Sequence, residues 1–209
     1  EEGVRRKKTT MEQMDSVLHR ITVSDDYGLL KDVDLVIEAV FEDPALKNKV
    51  TKYAESHTSK TTIFATNTST LPISDLAKAS KNRPNFIGIH FFSPVNKMNL
   101  VEIIRGKETE DLAVSKALNY AMQIKKTPIV VNDARFFYAN RCIIPYINEG
   151  VKMAGEGIEP ALIENGAKLL GMPVGPLQLI DETSIDLANQ ISTATKAALG
   201  QNYRDEDSD

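Results

Sequence analysis

The sequence predicts an α/β fold: a mostly parallel sheet followed by an all-helical domain. Three observations point there. Short β-branched runs alternate with amphipathic helical patterns from about residue 21 to 131. Those runs are almost continuously apolar, as strands must be when both faces of a sheet are covered. From about residue 134 onward no further strand pattern occurs.

In order, the strand runs are ITVS at 21, DLVIEAV at 34, TTIFAT at 61, NFIGIHF at 85, LVEIIR at 100 and TPIVV at 127. Each is short and rich in Ile, Val, Phe or Thr, side chains that pack well on a pleated surface. Between them, DPALKNKVTKYAES at 43 and DLAVSKALNYAMQI at 111 place apolar residues at helical spacing. FFYANRCIIPYINEGVKMAGEG, ALIENGAKLLG and DETSIDLANQISTATKAALG follow the same period, and GEG (155–157) and GMPVGP (171–176) punctuate them. The boundary falls near Asn132-Asp133, which divides the chain into domains over 1–132 and 133–209. The last eight residues, NYRDEDSD, read as a frayed polar tail.

A chain of 209 residues with 42% hydrophobic content can bury a proper core, and it is expected to be soluble and globular. Its formal net charge of -4 offers no general attraction to nucleic acid or anionic membranes, so neither is expected as a partner. Cys142 is the only cysteine. That excludes internal disulfides and Cys-based zinc sites, and it fits a reducing, cytoplasmic compartment. No apolar run approaches the length of about 18 residues that a membrane span needs, and no signal-peptide pattern opens the chain.

The informative residues are polar ones inside apolar patterns. Alternation along NFIGIHFF puts Phe86, Gly88, His90 and Phe92 on one face, with His90 near the strand's carboxyl end, where open parallel sheets bind ligands. In LVEIIR, Glu102 shares a face with Leu100 and Ile104. If SPVNKMN folds back, the two strands lie side by side and Glu102 accepts an imidazole N–H from His90. Such a pair satisfies two costly buried groups. It is either purely structural or a base able to take a proton from an alcohol. At the end of the preceding run, Asn67, Thr68, Ser69 and Thr70 come before Pro72, which suits a helix N-cap and also puts hydroxyls at the same edge. Asn140 interrupts the stripe Phe136, Ile144, Ile147 and Val151, so its amide needs an interhelical partner or a ligand oxygen.

The order NTST, HFFSPV, NLVEIIRG, ANR, GMPVGPLQLIDE resembles the L-3-hydroxyacyl-CoA dehydrogenases over roughly residues 20 to 190. The wording FFSPVNKM and VEIIRG is most similar to the dehydrogenase part of multifunctional fatty-acid oxidation proteins. The resemblance implies an NAD-binding Rossmann domain, a helical substrate and dimerisation domain, an acyl-CoA substrate and NAD-dependent oxidation of its 3-hydroxyl in β-oxidation. It implies His90 as general base, Glu102 as its partner, and Ser69 and Asn140 as hydrogen-bonding residues at the reacting oxygen. For the cofactor it implies Ala39, Glu42, Lys47 and Asn67. A homodimer through the helical domain is expected, and no metal.

The sequence departs from this pattern in places. No G-x-G-x-x-G lies between a strand and a helix, and no acidic residue follows one at about 20 positions. Gly155-Glu156-Gly157 is a helix stop by its context, with Pro160 where the third glycine would fall. In the strand order 3-2-1-4-5-6, loss of the first two strands leaves ITVS without a neighbour and one edge of DLVIEAV bare. An N-terminal segment of about 50 to 60 residues is therefore expected to be missing from this chain. Arg135-Phe136-Phe137 stands where the family usually reads P-G-F, and Asp181 and Asp186 read as structural caps. Two rivals stay open: a dehydrogenase of a related non-CoA hydroxy acid, and a catalytically inactive helical dimerisation scaffold.

Overall fold

Five strands, β1 (Leu35–Glu38), β2 (Ile63–Thr66), β3 (Phe86–Phe91), β4 (Leu100–Arg105) and β5 (Thr127–Asn132), form one sheet in sequential order. The computed structural model describes residues 2–183 together with 193, 196, 197 and 200. β1/β2, β2/β3 and β4/β5 pair in parallel, and β3/β4 pair antiparallel. The sheet is thus mostly parallel, with one hairpin that reverses the chain direction. Helices α1 (Glu2–Arg5) and α2 (Met11–Leu18) come first, α3 (Pro44–Glu55), α4 (Ile73–Leu76) and α5 (Asp111–Gln123) connect strands, and α6 (Ala139–Gly155), α7 (Pro160–Leu169) and α8 (Pro176–Thr183) follow. No strand follows β5 among the described residues.

Both faces of the sheet are buried, as the near-continuous apolar runs require. Ile63, Ala65, Ile87, Ile89, Val101 and Ile103 pack against Ala113, Ala117 and Ala121 of α5. That stripe of small residues on one helical face brings the helix axis close to the strands. Phe64, Phe86 and Ile104 take the opposite face, against Ala54 of α3, Ile73 and Leu76 of α4, and Phe137. Each fully buried Ile or Phe contributes about 1.5–3 kcal/mol. Gly88 belongs to this second face. A Cβ there would stand 2.7 Å from Ile73 Cδ1 and 2.9 Å from Ile104 Cβ, so α4 can sit on the sheet only over a glycine. In the helical half, Gly150 of α6 is buried against Pro176 of α8 in the same way.

Helix ends follow the punctuation in the sequence. Asp43 caps α3 by accepting the Leu46 N–H at 2.7 Å, with Pro44 in the first turn. Gly157 (φ +90°) and Gly171 (φ +96°) terminate α6 and α7 in the left-handed region that glycine adopts freely.

Four expectations need correction or limitation. ITVS is not a strand: residues 21–24 are exposed, with Val23 94% accessible, and among the described residues β1 pairs with β2 alone. Without a neighbouring backbone to pair with, β-branched composition alone does not make a strand. β1 accordingly lies at the sheet edge. Phe136 does not belong to the α6 stripe, because the helix begins at Ala139 and Phe136 (φ 67°) and Phe137 (φ 51°) both take left-handed backbone before it. The hydroxyls of the NTST segment do not cap α4; both oxygens of the Asp133 carboxylate do, each at 2.8 Å, to the N–H groups of Ile73 and Ser74. Asp181 lies inside α8 rather than at a cap, and the expectations for Asp186, the final helical segment beyond Thr183 and the polar tail lie outside the described residues, apart from isolated positions.

Candidate active site

The β3–β4 register sets His90 directly opposite Glu102. Antiparallel pairing puts the end of β3 beside the start of β4, so both residues sit at one rim of the sheet. The His90 Nδ1 to Glu102 Oε2 distance is 2.8 Å, and the side chains are 5% and 0% exposed. The other oxygen, Oε1, accepts the N–H groups of Tyr138 (3.0 Å) and Ala139 (2.8 Å), which open α6. A helix start that has no side-chain cap of its own is capped by a carboxylate from the sheet. Burial pushes the Glu102 pKa up. The hydrogen bonds from His90, Ala139 and Tyr138, together with the His90 charge, outweigh that and hold it below the ordinary value.

An ionised carboxylate only accepts hydrogen bonds, so Nδ1 of His90 is the donor, and in the neutral ring the lone pair lies on Nε2. Nε2 makes no hydrogen bond among the described residues. The ring is held between Phe92 (centroids 4.5 Å apart) and Phe137 (6.0 Å). The arrangement fixes the imidazole tautomer from behind and leaves the other nitrogen unbonded among the described residues.

A second network surrounds the turn after β2. Glu42 Oε1 accepts the N–H of Ser69 (3.0 Å), the N–H and hydroxyl of Thr70 (each 3.2 Å) and the hydroxyl of Thr68. Burial raises the Glu42 pKa, but the Thr68 hydroxyl, the Lys47 charge and hydrogen bond, and the Ser69 N–H bring it below the ordinary value. From the other side, Asn140 Nδ2 donates to the Ser69 carbonyl at 3.0 Å. The Ser69 backbone is therefore clamped between the loop after β1 and α6, while its hydroxyl makes no hydrogen bond among the described residues. Lys47, 2% exposed, meets Glu38 Oε1 at 2.9 Å, the Val40 carbonyl at 3.2 Å and Glu42 Oε2 at 3.2 Å. Glu38 Oε2 accepts the Thr66 hydroxyl at 2.8 Å.

The residues singled out in the sequence thus fall into linked sets: His90 with Glu102, and Asn140 with Ser69, Glu42 and Lys47. α6 joins the two sets, since Glu102 holds the amide next to Asn140. Asn140 finds its partner in a backbone carbonyl across the domains. Asn67 Oδ1 accepts the Phe91 N–H at 2.9 Å, which ties it to the residue after His90. Ala39 is exposed just past the end of β1. Sequence reasoning missed Glu38, although it interrupts DLVIEAV as Glu102 interrupts LVEIIR, and the same desolvation argument would have found it. It also missed Asp133, which carried no such signal.

The unbonded polar groups fit one end of a dinucleotide. The donors Asn67 Nδ2 and the Ser69 hydroxyl, just past the end of β2, and the acceptor His90 Nε2, near the end of the adjacent β3, are unbonded among the described residues. For the pyrophosphate, no glycine-rich strand-to-helix turn occurs among the described residues: Gly106 stands alone between β4 and α5 with its N–H on the Thr109 hydroxyl at 3.0 Å, and Gly157 and Gly171, with positive φ, follow helices. Among the described residues no group of three or more His, Cys, Asp or Glu could hold a metal ion, and no helix is long and apolar enough to cross a membrane.

Comparison with known proteins adds independent findings. The family model for the NAD binding domain of 3-hydroxyacyl-CoA dehydrogenase matches residues 1–134, and that for the C-terminal domain matches residues 137–208. The fatty acid oxidation complex subunit alpha of Shewanella baltica is 40% identical over 204 residues, 98% of this chain and 29% of the relative. That of Shewanella frigidimarina gives the same identity and coverage. The chain spans less than a third of the length of these curated relatives. Among solved structures, (S)-3-hydroxybutyryl-CoA dehydrogenase from Ralstonia eutropha superposes with a TM-score of 0.88 at 36% identity, covering 94% of this chain and 70% of the other. 3-Hydroxybutyryl-CoA dehydrogenase from Escherichia coli K12 gives 0.89 at 29% identity, covering 97% and 43%.

Proposed function

The chain belongs to the 3-hydroxyacyl-CoA dehydrogenase family, whose matched domain binds NAD, and from that premise we propose that it oxidises L-3-hydroxyacyl-CoA to 3-oxoacyl-CoA in fatty-acid β-oxidation. One observation carries the reading: a buried His90–Glu102 pair at 2.8 Å whose outward nitrogen is unbonded among the described residues. Bound NAD supplies the acceptor for the hydride that leaves the 3-carbon. His90 takes the hydroxyl proton at Nε2 as that bond breaks, and Glu102 stabilises the imidazolium and keeps the ring from turning. The Ser69 hydroxyl and the remaining N–H of Asn140 hold the substrate oxygen against Nε2, which turns an encounter into a near-attack geometry. On the cofactor side stand Ala39, Glu42, Lys47 and Asn67, with the Asn67 amide free to donate.

The name of the curated relatives, and the 29% of their length that this chain covers, support a place within a multifunctional protein. The single cysteine supports a cytoplasmic, reducing location. Exposed Leu162 and Leu169 of α7, with Leu170 just after it, support a homodimer through the helical half. A scaffold without turnover is favoured by one observation, that no glycine-rich turn follows a strand among the described residues. Assays on the full-length protein separate the readings. NADH fluorescence should change saturably, and 3-hydroxybutyryl-CoA should be oxidised in preference to free hydroxy acids. His90→Gln should lower kcat far more than stability; equal losses of both would reduce the pair to a structural one.

A further inference from the structure

Given the roles assigned above to Ser69 and Asn140, we propose that Asp133 is a positioning residue for the reaction. It fastens the linker between the two halves to the turn that carries Ser69, and so sets how Ser69 and Asn140 face one another.

Two segments run side by side here. One is the turn from Ser69 to Ser74 that leads from β2 into α4; the other, Asp133 to Asn140, leads from β5 into α6. Their contacts are ordered like the rungs of an antiparallel zipper. The Asn140 amide donates to the Ser69 carbonyl at 3.0 Å, the Phe136 N–H approaches the Thr70 carbonyl at 3.5 Å, and the Asp133 carboxylate accepts the Ile73 and Ser74 N–H groups at 2.8 Å each. The middle rung is long, and the Asn140 rung is a single bond about which one segment can swivel on the other. Asp133 supplies a two-point contact at the far end, which stops that rotation.

Both sides of this contact are rooted in the sheet. Asp133 follows the last residue of β5, and α4 is seated by Ile73 over Gly88, where no Cβ fits. The Ser74 hydroxyl also accepts the Lys107 N–H at 2.9 Å, just past β4. Pro72, at φ -58°, stiffens the short path from Ser69 to Ile73. The linker has no such stiffness of its own. Phe136 and Phe137 take left-handed backbone, which a chain keeps only where its surroundings impose it. Glu102 imposes it from the α6 end, through the Tyr138 and Ala139 N–H groups, and Asp133 from the β5 end. Without Asp133 one carboxylate oxygen holds the linker, and Asn140 drifts relative to Ser69. These two residues hold the substrate oxygen, one from each half, and a misplacement of about 1 Å can cost about 10²-fold in rate.

Two readouts on the full-length protein test this, the first without turnover. Asp133→Ala should speed amide exchange by about tenfold or more at Phe137, whose N–H closes the linker turn on the Ala134 carbonyl at 3.1 Å, and leave Leu46, capped by Asp43, unchanged. Exchange that quickens at Ile73 and Ser74 alone would make Asp133 a local helix cap and overturn the proposal. With 3-hydroxybutyryl-CoA, well below the unfolding midpoint, Asp133→Ala should lower kcat/KM by about tenfold and leave the Kd for NADH within about twofold of wild type. Asp133→Asn, which keeps one acceptor oxygen, should recover part of the rate. On top of Ser69→Ala, the loss from Asp133→Ala should fall below about threefold. Additive losses would overturn the proposal and leave Ser69 in its role, as would wild-type kinetics in Asp133→Ala with only a lowered midpoint. Wild-type kinetics in Ser69→Ala would instead remove the role given to Ser69, and this proposal with it. If Asp133→Ala does not fold, Asp133→Asn carries the same readouts with smaller shifts.

Discussion

Replacing Glu102 by Gln keeps the shape of the side chain and changes one thing, its ability to accept at both ends. In the native protein one oxygen takes the His90 Nδ1–H at 2.8 Å and the other takes the Tyr138 and Ala139 N–H groups at 3.0 and 2.8 Å. The Tyr138 and Ala139 amides have no other acceptor among the described residues, so the Gln oxygen stays with them and the NH2 turns toward His90. Two donors cannot share a bond. The imidazole therefore moves its proton to Nε2 and accepts at Nδ1, leaving the outward nitrogen with no lone pair for a hydroxyl proton. We expect kcat to fall by about 10²–10⁴ with KM little changed. Loss of one charge-assisted bond should cost about 1.5–3 kcal/mol. Glu102→Ala, which also orphans both helix amides, should cost about 3–5 kcal/mol. The acid limb gives a second check. The folded-state pKa of Glu102 is lowered, so the unfolded chain binds this proton more readily. Its contribution is complete above the unfolded value of about 4.3 and is lost as pH falls through the folded value. Urea unfolding at stepped pH should therefore show the gap between wild type and Glu102→Gln shrinking below about pH 4.3. A variant within a few-fold of wild-type kcat, or a gap that widens in acid, would refute the tautomer argument.

Two further substitutions probe the frame around the site. Gly88→Ala places a Cβ 2.7 Å from Ile73 Cδ1 and 2.9 Å from Ile104 Cβ, so the urea midpoint should fall by the equivalent of about 1–3 kcal/mol as α4 is pushed off the sheet. An unchanged midpoint would mean that α4 shifts without cost. Phe136 and Phe137 share left-handed backbone but not burial, and so should respond differently to glycine. At the half-buried Phe136, relief of strain of about 1–2 kcal/mol should offset the lost packing and leave stability within about 1 kcal/mol of wild type. At Phe137, 2% exposed and packed on His90, the lost ring should dominate, with a net loss of about 2–4 kcal/mol by thermal or urea unfolding. Equal effects at the two positions would show that strain, not packing, governs this segment.

Much of the site was legible because its signal is local. His90 and Glu102 interrupt period-two apolar runs, and a buried charge in such a run demands a partner within reach. The hairpin that brings them together was readable from the short SPVNKMN connection. The alternating faces of β3 and β4 came from the same period, and the helix stops at Gly157 and Gly171 from the punctuation. Local pattern misled where it had nothing to pair with: ITVS has strand composition, yet among the described residues no neighbouring strand pairs with it.

By itself, then, the amino-acid order determined which faces are apolar, where elements start and stop, and which polar side chains are too costly to bury alone. Tertiary structure alone decided who satisfies them. It set Glu102 on the amides of α6, Asp133 on the first turn of α4, Asn140 on the Ser69 carbonyl and Lys47 between Glu38 and Glu42. Burial cost is a property of one side chain and its immediate run. A hydrogen bond depends on the meeting of donor and acceptor to within a few tenths of an ångström. For most of these pairs the partners come from distant parts of the chain, so their meeting is fixed only when the sheet and the helical half pack together.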